Sequence, residues 1–264
     1  MINIPLAVAS SFFACVLALN AEPLVVAHRG ASRDAPENTL AAFKLAWEQG
    51  ADAIEGDFLL TKDNKIVCIH DKSTERLAKR KLRVKESTLA QLQELDVGMG
   101  QGGKFAGTKI PTIAEVLATI PAGKKIFIEI KCGKEIIPTL LKEIKKSDLM
   151  NEQLAIICFN AEVIRLFKIK APQHKTYWLS NFKRNKEGQL VPSLETVLRT
   201  LSSAKADGLD SHHGIPEHTA RRIQEEGFEW HVWTVNDLKT AKRLKALGVE
   251  SITTDVPGHL KKAL

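Results

Sequence analysis

Four apolar runs in this chain end in side chains that can do chemistry. They are Val25-Val26-Ala27-His28-Arg29-Gly30, Ala53-Ile54-Glu55-Gly56-Asp57, Ile66-Val67-Cys68-Ile69-His70-Asp71 and Ile126-Phe127-Ile128-Glu129-Ile130-Lys131. A charged group at the tip of an apolar strand costs free energy if it is buried unpaired. Repetition of the pattern therefore suggests strands that deliver polar groups to a common rim. Glu55 and Asp57 stand two apart, so on a strand they point to the same side, as does Ala53. Carboxylates held that close repel unless a cation or a proton lies between them. Glu129 supplies a third acid. An all-oxygen donor set suits one divalent cation, Mg²⁺ or Ca²⁺, better than zinc. The same acids could instead form ion pairs with Arg29 and Lys131; three of them at strand ends favour the cation.

His28 and His70 are candidates for proton transfer, because an unperturbed imidazole titrates near neutrality. Cleaving a phosphodiester needs a base for the nucleophile and an acid for the leaving alkoxide, on opposite sides of phosphorus. Arg29 and Lys131 would bind phosphate oxygens, the first through a planar fork and the second as a point charge. Trp233, in His231-Val-Trp-Thr-Val-Asn236, is either barrel filling or a wall of the substrate pocket. Asn38 reads as a helix N-cap after Pro36, with Glu37 turned toward the site. His212 and His213 directly follow a strand and are expected to line the pocket, whereas the other histidines read as structural.

The elements that must position these groups alternate between β-like runs and amphipathic stretches. Strands are expected at 24–28, 53–58, 126–131, 154–159, 175–179, 206–210, 229–235 and 251–254, and helices at 38–49, 112–120, 134–146, 161–170, 193–203, 216–226 and 236–247. Eight strands with helices between them point to an α/β protein, a closed (β/α)8 TIM barrel rather than an open doubly wound sheet. Lys65–Ile69 is a ninth run, but only Thr61-Lys62-Asp63-Asn64 separates it from the second strand. Parallel neighbours need a longer crossover, so this return is an antiparallel hairpin. It brings His70 back to the rim that carries Glu55 and Asp57. Residues 72–110, basic at first and glycine-rich at the end, read as a small insertion on that face, with one short helix at Ser87–Leu95 and an irregular flap.

At 264 residues with 44% hydrophobic and 26% charged content, the chain has ample material for a core. The net charge of +7 fits an anionic substrate, a membrane surface or nucleic acid without choosing among them. The basic stretch from Lys72 to Lys85 lacks interleaved aromatics, which speaks against nucleic acid. The outer helices show no dimer stripe, so no obligate protein partner is expected. Four scattered cysteines, Cys15, Cys68, Cys132 and Cys158, form neither a zinc knuckle nor a disulfide framework. Residues 2–21 carry no charge and read as a signal peptide within 1–21, so export is expected, leaving 22–264 as a single barrel domain.

Taken together, His28-Arg29-Gly30-Ala31, Pro36-Glu37-Asn38-Thr39, Glu55-Gly56-Asp57, Leu60-Thr61-Lys62-Asp63, Ile69-His70-Asp71, Glu129-Ile130-Lys131 and Trp233-Thr234-Val235-Asn236 resemble a bacterial glycerophosphodiester phosphodiesterase. The resemblance runs from Leu24 to Asp255. It implies a phospholipase-C-like phosphodiesterase barrel, metal ligands at Glu55, Asp57 and Glu129, acid and base at His28 and His70, and phosphate contacts at Arg29 and Lys131. The implied reaction releases glycerol 3-phosphate and an alcohol from a small anionic phosphodiester. A lysophospholipase D or sphingomyelinase-like activity, with transient membrane-lipid contact, and a non-catalytic phosphate-binding barrel are the alternatives.

Overall fold

The structure is a computed structural model that describes residues 22–264. The expected signal segment and Cys15 lie outside the described residues. Eleven strands form among the described residues: β1 (Leu24–His28), β2 (Ala53–Leu60), β3 (Ile66–Cys68), β4 (Lys125–Ile130), β5 (Leu154–Cys158), β6 (Lys175–Ser180), β7 (Lys183–Arg184), β8 (Leu190–Val191), β9 (Gly208–His212), β10 (Glu229–Trp233) and β11 (Ser251–Thr254). Eight of them run parallel in the order β1-β11-β10-β9-β6-β5-β4-β2, and β1 pairs again with β2 to close the ring. The closed (β/α)8 barrel is therefore present, and each of its strands lies within two residues of the expected bounds. The β7–β8 ribbon is an addition with no periodic signature in the sequence.

Register decides what each strand offers the interior. His28 is level with Glu55, Asp57 with Glu129, Leu179 with Asp210, and Trp233 with His212. Alternate residues point inward, so the lower interior is Val26, Ala53, Phe127, Ala155, Ile157, Tyr177 and Leu179, a buried apolar plug. Ionisable groups appear on the same faces toward the carboxyl ends. The outward faces, including Ile54, Ile126, Ile128, Ile156, Leu209, Val232 and Ile252, form a second layer under the helices. Those helices contribute Phe43, Val163, Phe167, Val197, Leu201, Ile223 and Leu244, each essentially removed from water. At roughly 1.5–3 kcal/mol per buried large apolar side chain, this outer layer is the main source of stability.

Nine helices lie among the described residues: α1 (Leu40–Glu48), α2 (Leu89–Gln93), α3 (Ile113–Leu117), α4 (Ile137–Lys146), α5 (Ala161–Lys170), α6 (Leu194–Ala204), α7 (Glu217–Glu225), α8 (Leu238–Ala246) and α9 (Pro257–Ala263). Their starts follow side-chain chemistry: Thr39, Asn160, Ser193 and Asp237 each accept a hydrogen bond from a first-turn amide of the helix that follows. Asn38 is not the cap of α1; Thr39 is. The final helix α9 was not expected from the sequence.

The hairpin reading holds. β3 is antiparallel to β2 with Phe58 opposite Cys68, and the Ile69 amide donates to the Asp57 carbonyl at 2.8 Å. That bond carries His70 back to the rim. The insertion has a small core of its own, in which Val84, Leu92, Leu95, Val97 and Ile110 pack on Leu59, Val67 and Ile69. Its glycine-rich end is irregular but pinned: the Asp96 carboxylate accepts from the Gly98 and Gly107 amides at 2.9 and 2.7 Å.

Candidate active site

At the carboxyl ends of the barrel strands lies a cavity of about 280 Å³. One wall is formed by His28, Arg29, Glu55, His70, Glu129 and Lys131, the other by Ile157, Phe159, Leu179, Asp210, Trp233 and Thr253. Seven of the eight expected site residues therefore line one cavity. The eighth, Asp57, lies 1% exposed behind the polar wall. Glu55, Asp57 and Glu129 each offer an oxygen within 4.8 Å of the others.

The local backbone explains how Arg29 serves two purposes. Arg29 and Gly30 both adopt left-handed conformations (φ 56° and 80°), which turns the chain sharply at the end of β1. The Arg29 amide then donates to Glu55 Oε2 at 2.9 Å. Its side chain reaches back to place Nε 3.2 Å from Asp57 Oδ2 and Nη1 3.2 Å from Glu37 Oε1. Gly30 has no alternative, since a Cβ there would lie 2.6 Å from the Ala42 backbone.

Lys131 donates to Glu129 Oε1 at 2.7 Å and lies 3.4 Å from Asp57 Oδ1. The ion pairs that competed with metal binding in the sequence are thus present. Two cations nevertheless face three carboxylates, and Glu55 Oε1 is buried with no hydrogen-bond partner. Burial, then repulsion from Asp57 and Glu129, pushes Glu55 well above the usual carboxylate range. Burial and then Asp57 likewise raise Glu129 to about 7, against the pull of Lys131. Burial works on Asp57 in the same direction, but Arg29 and Lys131 outweigh it and hold that carboxyl low. An orphaned buried oxygen beside two like charges is a place that a divalent cation fits, and oxygen-only donors suit Mg²⁺ or Ca²⁺.

Each histidine is oriented by a carboxylate. His28 Nδ1 lies 2.7 Å from Asp255 Oδ1, and Asp255 in turn accepts from Asn236 Nδ2 at 2.7 Å and from Ser32 Oγ at 3.2 Å. Burial tends to raise Asp255, but the bonds from His28 and Asn236 hold it at about 2. His70 Nδ1 lies 2.7 Å from Asp71 Oδ1. Arg76 of the insertion donates from Nε to Asp71 at 2.7 Å and from Nη1 and Nη2 to Glu37 at 2.8 and 2.7 Å. With Nδ1 engaged in each ring, Nε2 is the ring nitrogen left without a hydrogen-bond partner among the described residues.

The structure also corrects two expectations. Asn38 does not cap a helix: buried at φ 58°, it donates from Nδ2 to Asp57 Oδ2 at 2.8 Å and accepts from the Asp57 amide at 3.1 Å. Its role is to fix the most buried acid of the three-carboxylate cluster. His212 and His213 do not line the catalytic cavity. His212 instead meets Trp233 edge-on with ring centroids 5.9 Å apart. Trp233 is a pocket wall and touches Phe159 in the same way at 5.8 Å. Glu37 turns toward the site, as expected. Sequence reasoning assigned no role to Asp71, Asp255, Asn236, Arg76 or Asp210. Asp210 and Asp255 carried the same signal as the others, an acid at the end of an apolar strand.

The fold and rim chemistry define a phospholipase-C-like phosphodiesterase barrel. The family model for the glycerophosphoryl diester phosphodiesterase family matches residues 28–259, and this chain belongs to that family. A glycerophosphodiester phosphodiesterase of Caldanaerobacter subterraneus subsp. tengcongensis is 38% identical over 246 residues, spanning 90% of this chain and 96% of the relative. Among solved structures, an Oleispira antarctica phosphodiesterase in complex with the product sn-glycerol-3-phosphate superposes with a TM-score of 0.82 at 26% identity, covering 91% of this chain and 96% of that one. A glycerophosphodiester phosphodiesterase from Thermotoga maritima gives 0.73 at 26% identity, covering 91% and 97%.

Proposed function

We propose that this chain hydrolyses glycerophosphodiesters to sn-glycerol 3-phosphate and an alcohol, using one divalent cation and the His28–His70 pair. Membership of the family supports the reaction class. The observation that carries the site assignment is that both histidines, Arg29, Lys131, Glu55 and Glu129 line one cavity, with Asp57 directly behind them and one oxygen of Glu55 buried without a partner. Glu55, Asp57 and Glu129 would hold Mg²⁺ or Ca²⁺, which when bound would neutralise phosphate charge and polarise the phosphorus centre. Arg29 and Lys131 orient the remaining phosphate oxygens. One histidine takes the proton from the attacking hydroxyl and the other gives a proton to the departing alkoxide. Asp255 and Asp71 hold the two rings in the tautomer that leaves Nε2 available.

The test is glycerol 3-phosphate release from glycerophosphocholine. Chelation of divalent metal, His28→Ala, His70→Ala and Glu55→Ala should each lower turnover, the histidine variants by about 10²- to 10⁴-fold. Full activity in any of them would overturn the assignment. Export is proposed on the uncharged stretch 2–21; recovery of mature protein that still carries that segment would overturn it.

A further inference from the structure

The apolar wall of the cavity contains one acid that the chemistry above leaves unused. Asp210 is on the inward face of β9, two residues below the rim position His212, level with Leu179 on one side and His231 on the other. It is 1% exposed, and its Oδ1 is buried with no hydrogen-bond partner. It is not a member of the three-carboxylate cluster. No cation pairs with it among the described residues. A buried carboxyl oxygen without a partner is costly, and native structures supply one by some means. Here the residue lines a cavity, so a group that enters the cavity can supply the partner.

The shape of the cavity says which group. Arg29, Lys131 and the carboxylate cluster fix phosphorus at the polar wall. Ile157, Leu179 and Trp233 line the rest, a small apolar pit that Asp210 shares: Leu179 is level with Asp210, and the Trp233 indole N–H donates to the Asp210 carbonyl at 3.4 Å. A three-carbon chain esterified at one end would lay its CH₂ groups on that wall. Its second hydroxyl stays near phosphorus, and its terminal hydroxyl reaches furthest down. A larger cavity of about 710 Å³ adjoins this one and shares Glu129, Lys131 and Phe159 with it; its lining comes from the hairpin and the insertion, including Lys62, Lys72 and Lys85, and from the segments that follow β4 and β5. The small pit has the size for an invariant unit, and the wide cavity has room for a variable alcohol. We propose that Asp210 is a specificity residue that binds the terminal hydroxyl of the glycerol unit, with the leaving alcohol directed into the larger cavity. A hydroxyl both donates and accepts, so the contact works with either protonation state of the carboxyl. The inference rests on the glycerophosphodiester reading and narrows it: a substrate acylated or deoxygenated at that carbon would leave Asp210 buried and unpaired.

The test compares glycerophosphocholine with 2-hydroxypropyl phosphocholine, which lacks only the terminal hydroxyl, in wild type, Asp210→Asn and Asp210→Leu. Binding of sn-glycerol 3-phosphate and 2-hydroxypropyl phosphate is followed by calorimetry in parallel. Wild type should favour the glycerol compounds by about 10- to 100-fold, the range of one buried hydrogen bond to a carboxylate. Asp210→Leu should erase that preference to within about twofold, and Asp210→Asn should keep most of it. The proposal is overturned if wild type does not discriminate, if the preference survives in Asp210→Leu, or if that variant weakens both members of each pair equally. Should wild type turn over neither diester, the hydrolytic reading fails alone. The binding arm still decides: a preference lost in Asp210→Leu sustains Asp210 as the hydroxyl site, and no preference, or no binding, rejects it.

Discussion

Replacing Glu129 by Gln isolates the electrostatic cost of gathering three carboxylates at one rim. Without a bound cation, burial and then Asp57 raise Glu129 from 4.5 to about 7. The unfolded chain lacks the cluster, so there the group ionises near 4.5. Below that pH both states hold the proton. Between 4.5 and about 7 the unfolded chain has lost it while the native state still binds it, so native stability falls as pH rises through this window. At about 1.4 kcal/mol per pH unit, the full gap is worth about 3 kcal/mol, an upper figure because neighbouring acids share the proton. Glu129→Gln removes the term. Urea unfolding of metal-free wild type and variant at about pH 5 and about pH 8 should show the variant gaining about 1–3 kcal/mol over wild type between the two conditions. Burial-depressed histidines such as His174 and His231 titrate identically in both proteins and cancel in the difference. Added Ca²⁺ or Mg²⁺ should stabilise wild type and leave the variant nearly unchanged. A wild-type-to-variant difference that does not move with pH would refute the reasoning.

Asn38→Ala should cost about 1–3 kcal/mol in urea unfolding, because it strips both the Asp57 amide and Asp57 Oδ2 of a buried partner, and it should also weaken divalent-cation binding measured by calorimetry. Gly30→Ala puts a Cβ 2.6 Å from the Ala42 backbone at a φ of 80°. A loss of about 2 kcal/mol or more, with turnover reduced because Arg29 and the Glu55 contact move with the turn, is the expected outcome; wild-type stability and activity would contradict it.

The barrel and most of the rim were readable because both rest on period-two signals. Strands such as Ala53-Ile-Glu55-Gly-Asp57 announce their inward face by what stands at alternate positions. The short turn Thr61–Asn64 forbids a parallel return, and that alone placed His70. What stayed hidden depends on long-range packing. Asn38 looks like a cap because it follows Pro36 and precedes a helix; only the left-handed backbone at Asn38 swings its amide onto Asp57 and passes the capping duty to Thr39. His212 and His213 follow a strand as promisingly as His28 does, yet Trp233 stands between His212 and the cavity. Asp210 ends a strand-like run no differently from Glu129. The structure runs β9 on to His212, which makes Asp210 an inward position above the plug and not a strand end.

The partners of the reactive groups show why this site belongs to the closed barrel and not to any one segment. His28 leaves β1 and is oriented by Asp255, which follows β11 across the seam where the sheet closes; Asn236, after β10, steadies that carboxylate. Asp57 of β2 is held by Asn38 from the loop after β1 and faced by Lys131 from the end of β4. His70 comes back on the hairpin, and Asp71 beside it is tied through Arg76 to Glu37, which also receives Arg29. His28, Glu55 and Asp57 are thus each positioned by an element that is not their own, and these links span the β1 seam. The cost of holding like charges together is met by packing elsewhere, in the apolar layer under the helices, which needs none of these residues. Loosening the seam should therefore disturb His28 before it disturbs the fold, because the outer layer can tolerate a small opening that two 2.7 Å contacts to Asp255 cannot.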